Sequence, residues 1–227
     1  MSDYQKVAEF NSAFDFHQYD DFANKFTLKS RLALIEEELC ELKEAYENHD
    51  LIEEQDACAD ILYVAYGMAW VYKINSDDYL RHHIIDNSLT LFQNIKNNQV
   101  EMRGREQLIN DIDGQFKKLV KCCDSDNKEW IHTLHNIIIY TYDFQVESKY
   151  DSDKVFTIVH DSNMSKLCTS ESEAKLTVEK YQKDFESGKS PYDSPYYYPL
   201  ANGLYVVKNK STGKALKSIN YRQVKLT

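Results

Sequence analysis

Residues 34–42 read Leu34-Ile35-Glu36-Glu37-Glu38-Leu39-Cys40-Glu41-Leu42, and residues 53–63 read Glu53-Glu54-Gln55-Asp56-Ala57-Cys58-Ala59-Asp60-Ile61-Leu62-Tyr63. In both stretches apolar residues recur three and four apart, the spacing of one helical face. Outward from the first, Leu28, Arg31, Leu32, Leu34, Ile35, Leu39, Leu42 and Ala45 extend the pattern to a helix over 27–48. Outward from the second, Ala57, Ile61, Val64, Ala65 and Met68 share one side of a helix over 51–74. The short connection at 48–51 predicts antiparallel packing of the two, the start of a bundle.

The rest of the chain has the same character. Of its 227 residues only 6 are Gly and 3 are Pro, and Pro191, Pro195 and Pro199 all fall near the C-terminus. Long stretches without either residue favour helix, and further helices are expected over 4–14, 84–97, 103–122, 127–147 and 171–186. The expected fold class is therefore all-α, an antiparallel helix bundle over 1–227. Residues 188–227 form a loop and a β-hairpin, with strands at 203–208 and 214–219 around Thr212-Gly213. A lone hairpin is marginal, so it is expected to pack on the bundle rather than form a separate domain.

Composition narrows the function. With 27 Lys and Arg against 37 Asp and Glu, the net charge of −10 argues against double-stranded nucleic acid as a partner. A small polyanion remains accessible if metal ions stand between the charges. No apolar run approaches the roughly 20 residues of a membrane span, and the opening MSDYQKVAEF has no signal-peptide core. Cys40, Cys58, Cys122, Cys123 and Cys168 lack metal-ligand spacing and read as reduced thiols of a cytoplasmic protein.

Glu37, Glu38 and Glu41 lie within one turn of each other, and Glu53, Asp56 and Asp60 repeat the arrangement on the next helix. Like charges at these spacings repel, and facing acidic stripes repel more, unless a divalent cation lies between them. Mg²⁺ suits the set: it takes oxygen ligands, uses few carboxylates and leaves positions for water and substrate phosphate. A solvated acidic face is the alternative. Against it, Asp60 sits among Ala57, Cys58, Ala59, Ile61 and Leu62, where an unpaired acid is costly.

These residues, with Val64 and Gly67 beyond them, resemble the all-α nucleoside triphosphate pyrophosphohydrolases: MazG, dimeric dUTPases and phosphoribosyl-ATP pyrophosphohydrolase. The likeness is greatest to the phosphoribosyl-ATP-pyrophosphohydrolase-like proteins of phages and large DNA viruses. A second signature extends it: Val159-His160-Asp161-Ser162-Asn163-Met164-Ser165-Lys166, then Gly213-Lys214, Leu216-Lys217-Ser218 and Tyr221. The resemblance implies a Mg²⁺-dependent enzyme (Mn²⁺ able to substitute) that converts an NTP or dNTP to the monophosphate and pyrophosphate, adjusting or sanitising a nucleotide pool. It implies metal ligands at Glu38, Glu41, Glu53 and Asp56, with Glu37 and Asp60 as near neighbours. In MazG-type chains the second acidic pair lies one turn later, so either Asp56 or Asp60 can be the ligand. Catalytic candidates are Glu37, Glu38, Glu41 and Glu53, with Glu37 or Glu53 to orient the attacking water. Substrate-binding candidates are His160, Asn163, Lys166, Lys214, Lys217 and Tyr221, the lysines as phosphate partners and His160 equally a core residue. Phe10 and Phe14 read first as core, and Tyr196-Tyr197-Tyr198 as a loop over the site. The competing function is a non-catalytic nucleotide-binding helical module. The chain is expected as monomer or homodimer, in the host cytoplasm if viral.

Residues 80–150 read two ways. Arg105, Leu108, Ile109 and Lys117 match Arg31, Leu34, Ile35 and Lys43 at one offset, and Glu129, Ile137, Tyr142 and Asp153 match Glu53, Ile61, Tyr66 and Asp77 at a nearly equal one. Glu38, Glu41, Asp56 and Asp60 then correspond to Ile112, Gln115, His132 and Asn136. This is either a degenerate repeat of 27–78, making the chain an internal pseudo-dimer with one active site, or an unrelated helical insertion.

Overall fold

The computed structural model of the chain describes residues 1–82, 103–125 and 127–226, and the helix expected over 84–97 lies outside them. The described residues form helices α1 (Asp3–Ala13), α2 (Lys25–Asn48), α3 (Leu51–Val71), α4 (described over 76–82), α5 (Arg105–Asp124), α6 (Trp130–Glu147), α7 (Ser152–Met164) and α8 (Glu171–Glu186), and strands β1 (Pro195–Pro199) and β2 (Tyr205–Asn209). The fold is all-α with a small antiparallel hairpin, as expected. It divides into two compact units, one of Met1–Ala8, His17–Phe156 and Leu226, the other of Glu9–Phe16 and Thr157–Lys225. Among the described residues no helix is long and apolar enough to cross a membrane.

In the first unit α2 packs on α3 and α5 on α6, each pair joined by a short turn; α3 also packs on α6 and α2 on α5. The α2–α3 turn is specified locally. Asn24 caps α2 through Thr27 N, and α2 ends at His49, left-handed with φ 55°. Asp50 N then donates to Ala45 O at 2.9 Å, closing the helix end. The Asp50 carboxylate in turn accepts from the backbone N–H groups of Ile52 and Glu53, at 3.1 and 3.2 Å. Replacing Asp50 by Ala is expected to lower stability by about 1 kcal/mol, read as a denaturation midpoint shift without a change of slope.

The buried line of α2 is Leu28, Ile35, Leu39, Leu42 and Ala45, whereas α3 is buried almost all round from Ala57 to Val71. That makes α3 the central helix. Where it meets α6, the hydroxyls of Tyr66 and Tyr142 are 3.2 Å apart, and Tyr142 donates to Asp3 of α1. Phe22, Tyr72 and Trp130 form an aromatic contact at the other end, with ring centroids 4.6–5.7 Å apart. Between α2 and α5, Asp113 is paired by Lys43 and by Lys117. Helix α4 docks on α6 through Tyr79, stacked on the buried His135 ring at 3.9 Å.

In the second unit β1 and β2 are antiparallel, Pro195 opposite Asn209 and Pro199 opposite Tyr205. This corrects the expected hairpin: the partner of 205–209 is the tyrosine segment before it, not 214–219. Residues 214–216 touch β2 at a single bridge, between Lys208 and Ala215, through the bonds from Asn209 N to Lys214 O and from Leu216 N to Val207 O. The buried Asn209 side chain explains the break. Its amide donates to Asp193, Ser211 and Thr212, and its oxygen accepts from Ser194 N, so the chain beyond Asn209 is bent into a closed turn. One face of the hairpin meets Phe14 and Leu167 through Val206; the other meets Ala174 of α8 through Val207.

Candidate active site

The acids of α2 and α3 act on one another electrostatically. Glu38 is half-buried and its pKa is pushed up to about 8, first by burial and then by Asp60, Glu41, Glu37 and Asp56. Asp56 rises to about 6, through burial and then Glu53 and Glu41. Glu41 is raised by burial and by Glu37, Glu53 and Glu44. All six predicted acids therefore enter one cluster, with Asp60 acting chiefly on Glu38, and Glu53 acting on Glu41 and Asp56. Among the described residues, no cation is one of the groups that shift Glu38, Glu41 or Asp56.

Asp56 Oδ1 is shut off from solvent and, among the described residues, has no hydrogen-bond partner. A buried, unpartnered carboxylate oxygen in an acidic cluster is what a divalent cation satisfies, so the donor set fits one. Among the described residues no three His, Cys, Asp or Glu side chains are already gathered so that they could hold a metal ion. The acids share a face without converged ligand geometry.

Glu38 sets a pH dependence. Below about pH 4.5 it is protonated in the folded and unfolded chains alike. Between there and about pH 8 the folded chain keeps a proton that the unfolded chain has released, so metal-free stability falls as pH rises through that window. The melting temperature in EDTA is expected to decline from pH 5 to 8 in the wild type and to be flatter in Glu38→Gln. Equal slopes would show that Glu38 does not carry the effect.

The predicted substrate-binding residues all lie in the second unit. Lys166 Nζ donates to Asn163 Oδ1 at 2.5 Å and sits 5.9 Å from the Phe10 ring. Ser218 N donates to Lys166 O, Arg222 N to Ser165 Oγ, and Ser162 Oγ to Tyr221 Oη. The two halves of the second signature are thus physically joined. Lys217 is exposed, 4.4 Å above the Tyr221 ring, and Lys214 is exposed, 5.8 Å from the Tyr192 ring. His160 is buried with Nε2 3.7 Å from Glu9, and Phe10 and Phe14 pack together at 4.3 Å, a core role. The tyrosines expected as a covering loop form strand β1 instead.

Residues 8–84 match the family model described as phosphoribosyl-ATP pyrophosphohydrolase. Over 242 aligned residues, 96% of this chain and 91% of the relative, the chain is 32% identical to the uncharacterized protein L479 of Acanthamoeba polyphaga mimivirus. The chain belongs to the all-α nucleoside triphosphate pyrophosphohydrolases. The matched segment contains α2, α3 and all six acids, so the family likeness and the acidic face coincide in this superfamily member. No solved structure matches the chain significantly.

Sequence reasoning missed Glu54. It is 1% exposed, ion-paired with Arg105 and bonded by Tyr150. The signal was present: Glu54, Cys58, Ile61 and Ala65 form one buried line on α3, so an acid on the core side required a partner.

Proposed function

We propose that the protein is a Mg²⁺-dependent pyrophosphohydrolase that cleaves a nucleoside or deoxynucleoside triphosphate to the monophosphate and pyrophosphate. The observation that carries this is the partnerless Asp56 oxygen inside a cluster of carboxylates that raise one another's pKa. Glu38, Glu41, Glu53 and Asp56 hold the metal, with Asp60 a further ligand through its proximity to Glu38. Mg²⁺ bound there supplies neutralisation of triphosphate charge and a water of lowered pKa. Glu37 or Glu53, both exposed at the edge of the cluster, orients the attacking water and accepts its proton. The half-buried setting of Glu38 and Asp56 limits competing water. A nucleotide-binding module without catalysis would have no use for an acidic face that destabilises the fold.

The second unit, with eleven Lys and Arg against nine Asp and Glu, is assigned to the anionic part of the nucleotide. Lys166, Lys214 and Lys217 are its phosphate partners, and His160, Asn163 and Tyr221 shape their surroundings. Lys217→Ala is expected to raise KM for the triphosphate several-fold, most at low salt, with an unchanged melting temperature. An unchanged KM at low salt would assign Lys217 to packing.

The second helix pair is a degenerate copy of the first, and each chain has one active site. Two contacts support this. Tyr66 and Tyr142, equivalent by the sequence match, touch each other, as equivalent residues do on a two-fold axis. Asn136 Nδ2 donates to Gln115 Oε1 at 3.3 Å, so the counterparts of Asp60 and Glu41 satisfy each other without a cation.

A panel of NTPs and dNTPs assayed for pyrophosphate with Mg²⁺ and with EDTA tests the function. Pyrophosphate from at least one nucleotide, only with metal, is expected. Nucleotide binding without turnover in the whole panel would favour the non-catalytic module.

A further inference from the structure

Glu54 lies in the first turn of α3, yet it is 1% exposed. Its carboxylate meets the Arg105 guanidinium at the start of α5, and the Tyr150 hydroxyl donates to Oε2 at 2.6 Å. Arg105 is held in turn, its Cζ 5.1 Å from the Tyr46 ring and 5.0 Å from the Phe144 ring. One ion pair therefore joins α3 to residues of α2, α5 and α6 and to the segment after α6. A buried pair of this kind is seldom more stabilising than apolar packing of the same volume. Stability does not account for its presence.

Its place on α3 does. At 100° per residue, Glu54 points about 160° away from Asp56 and 100° from Glu53. The ion pair grips the side of α3 opposite the acidic face. Side-chain ends lie about 5–6 Å from a helix axis, so a 10° turn of α3 would move a carboxylate by about 1 Å. Metal–ligand distances tolerate only about 0.2 Å. We propose that Glu54, Arg105 and Tyr150 are positioning residues that fix the rotation of α3 and so aim Glu53 and Asp56 at the metal. This rests on the reading of the α2–α3 face as a metal site.

Mn²⁺ titration calorimetry on the full chain, well below its melting temperature, tests it. The double variant E54Q/R105M removes both charges together, so that neither is left buried alone. It is expected to fold cooperatively while its Mn²⁺ dissociation constant rises about 10- to 100-fold, the range for outer-shell partners of metal ligands. Tyr150→Phe, which deletes one oxygen, is expected to weaken Mn²⁺ binding by a smaller factor. Lys118→Met, which breaks the exposed Lys118–Glu129 pair between α5 and the start of α6, is expected to leave it unchanged. Wild type that binds Mn²⁺ together with unchanged affinity in folded E54Q/R105M overturns the positioning role alone. If that variant does not fold, unchanged affinity in Tyr150→Phe overturns it. No Mn²⁺ binding by the wild type removes the metal-site reading, and this inference with it.

Discussion

Glu38→Gln is expected to lose pyrophosphate release by roughly 10²–10³-fold, the scale for removing one preorganised charge from a reaction centre, while the metal-free protein becomes more stable. The two effects have one cause. Burial, and then crowding by Asp60, Glu41, Glu37 and Asp56, lifts the Glu38 pKa to about 8. An amide of the same shape relieves that repulsion and cannot replace the charge a cation needs. Even about 1 kcal/mol of relief, discounted for the partial exposure of these groups, is about 2–4 °C in melting temperature at this chain length. A variant that loses activity and stability together would identify Glu38 as a packing residue. Full turnover in a folded variant would remove it from the site.

Arg105→Met is expected to have the opposite signature, a loss of about 3–5 kcal/mol, because it leaves the Glu54 carboxylate buried with only the Tyr150 hydroxyl for company. In a chain of this length that is a melting-temperature drop of roughly 6–20 °C. Introduced on top of Glu54→Gln, the same change should cost far less, and the difference is the coupling between the two residues. A drop under about 1 kcal/mol in the single variant would mean that the pair is not closed in solution.

The α2–α3 pair was legible because both of its signals are local: apolar spacing of three and four, and a connection at 48–51 short enough to force antiparallel packing. The acidic face was legible for the same reason, since six acids at helical spacing share a side whatever the rest of the chain does. Helix α7 escaped the reading, although Val155, Phe156 and Val159 follow helical spacing, because only one short apolar turn marks it and the polar Asp161-Ser162-Asn163 follows. The hairpin was placed with the wrong partner for a geometric reason. Pro195 and Pro199 read as loop, yet both stand at the ends of a short edge strand, where a missing N–H need not break the ladder. Which strand pairs with 205–209 was decided by the Asn209 network, a set of contacts between residues 193 and 212 that no periodicity reveals. The role of Glu54 depended likewise on Arg105 and Tyr150, 51 and 96 residues away.

The central claim is that the face shared by α2 and α3 holds the metal. Anomalous diffraction from crystals grown with Mn²⁺ would test it most directly. The account predicts peaks bounded by Glu38, Glu41, Glu53 and Asp56, within reach of Asp60, and none beside Gln115 and Asn136. An empty α2–α3 face, with Mn²⁺ instead beside Asp111 and Asp113 of α5, would contradict it.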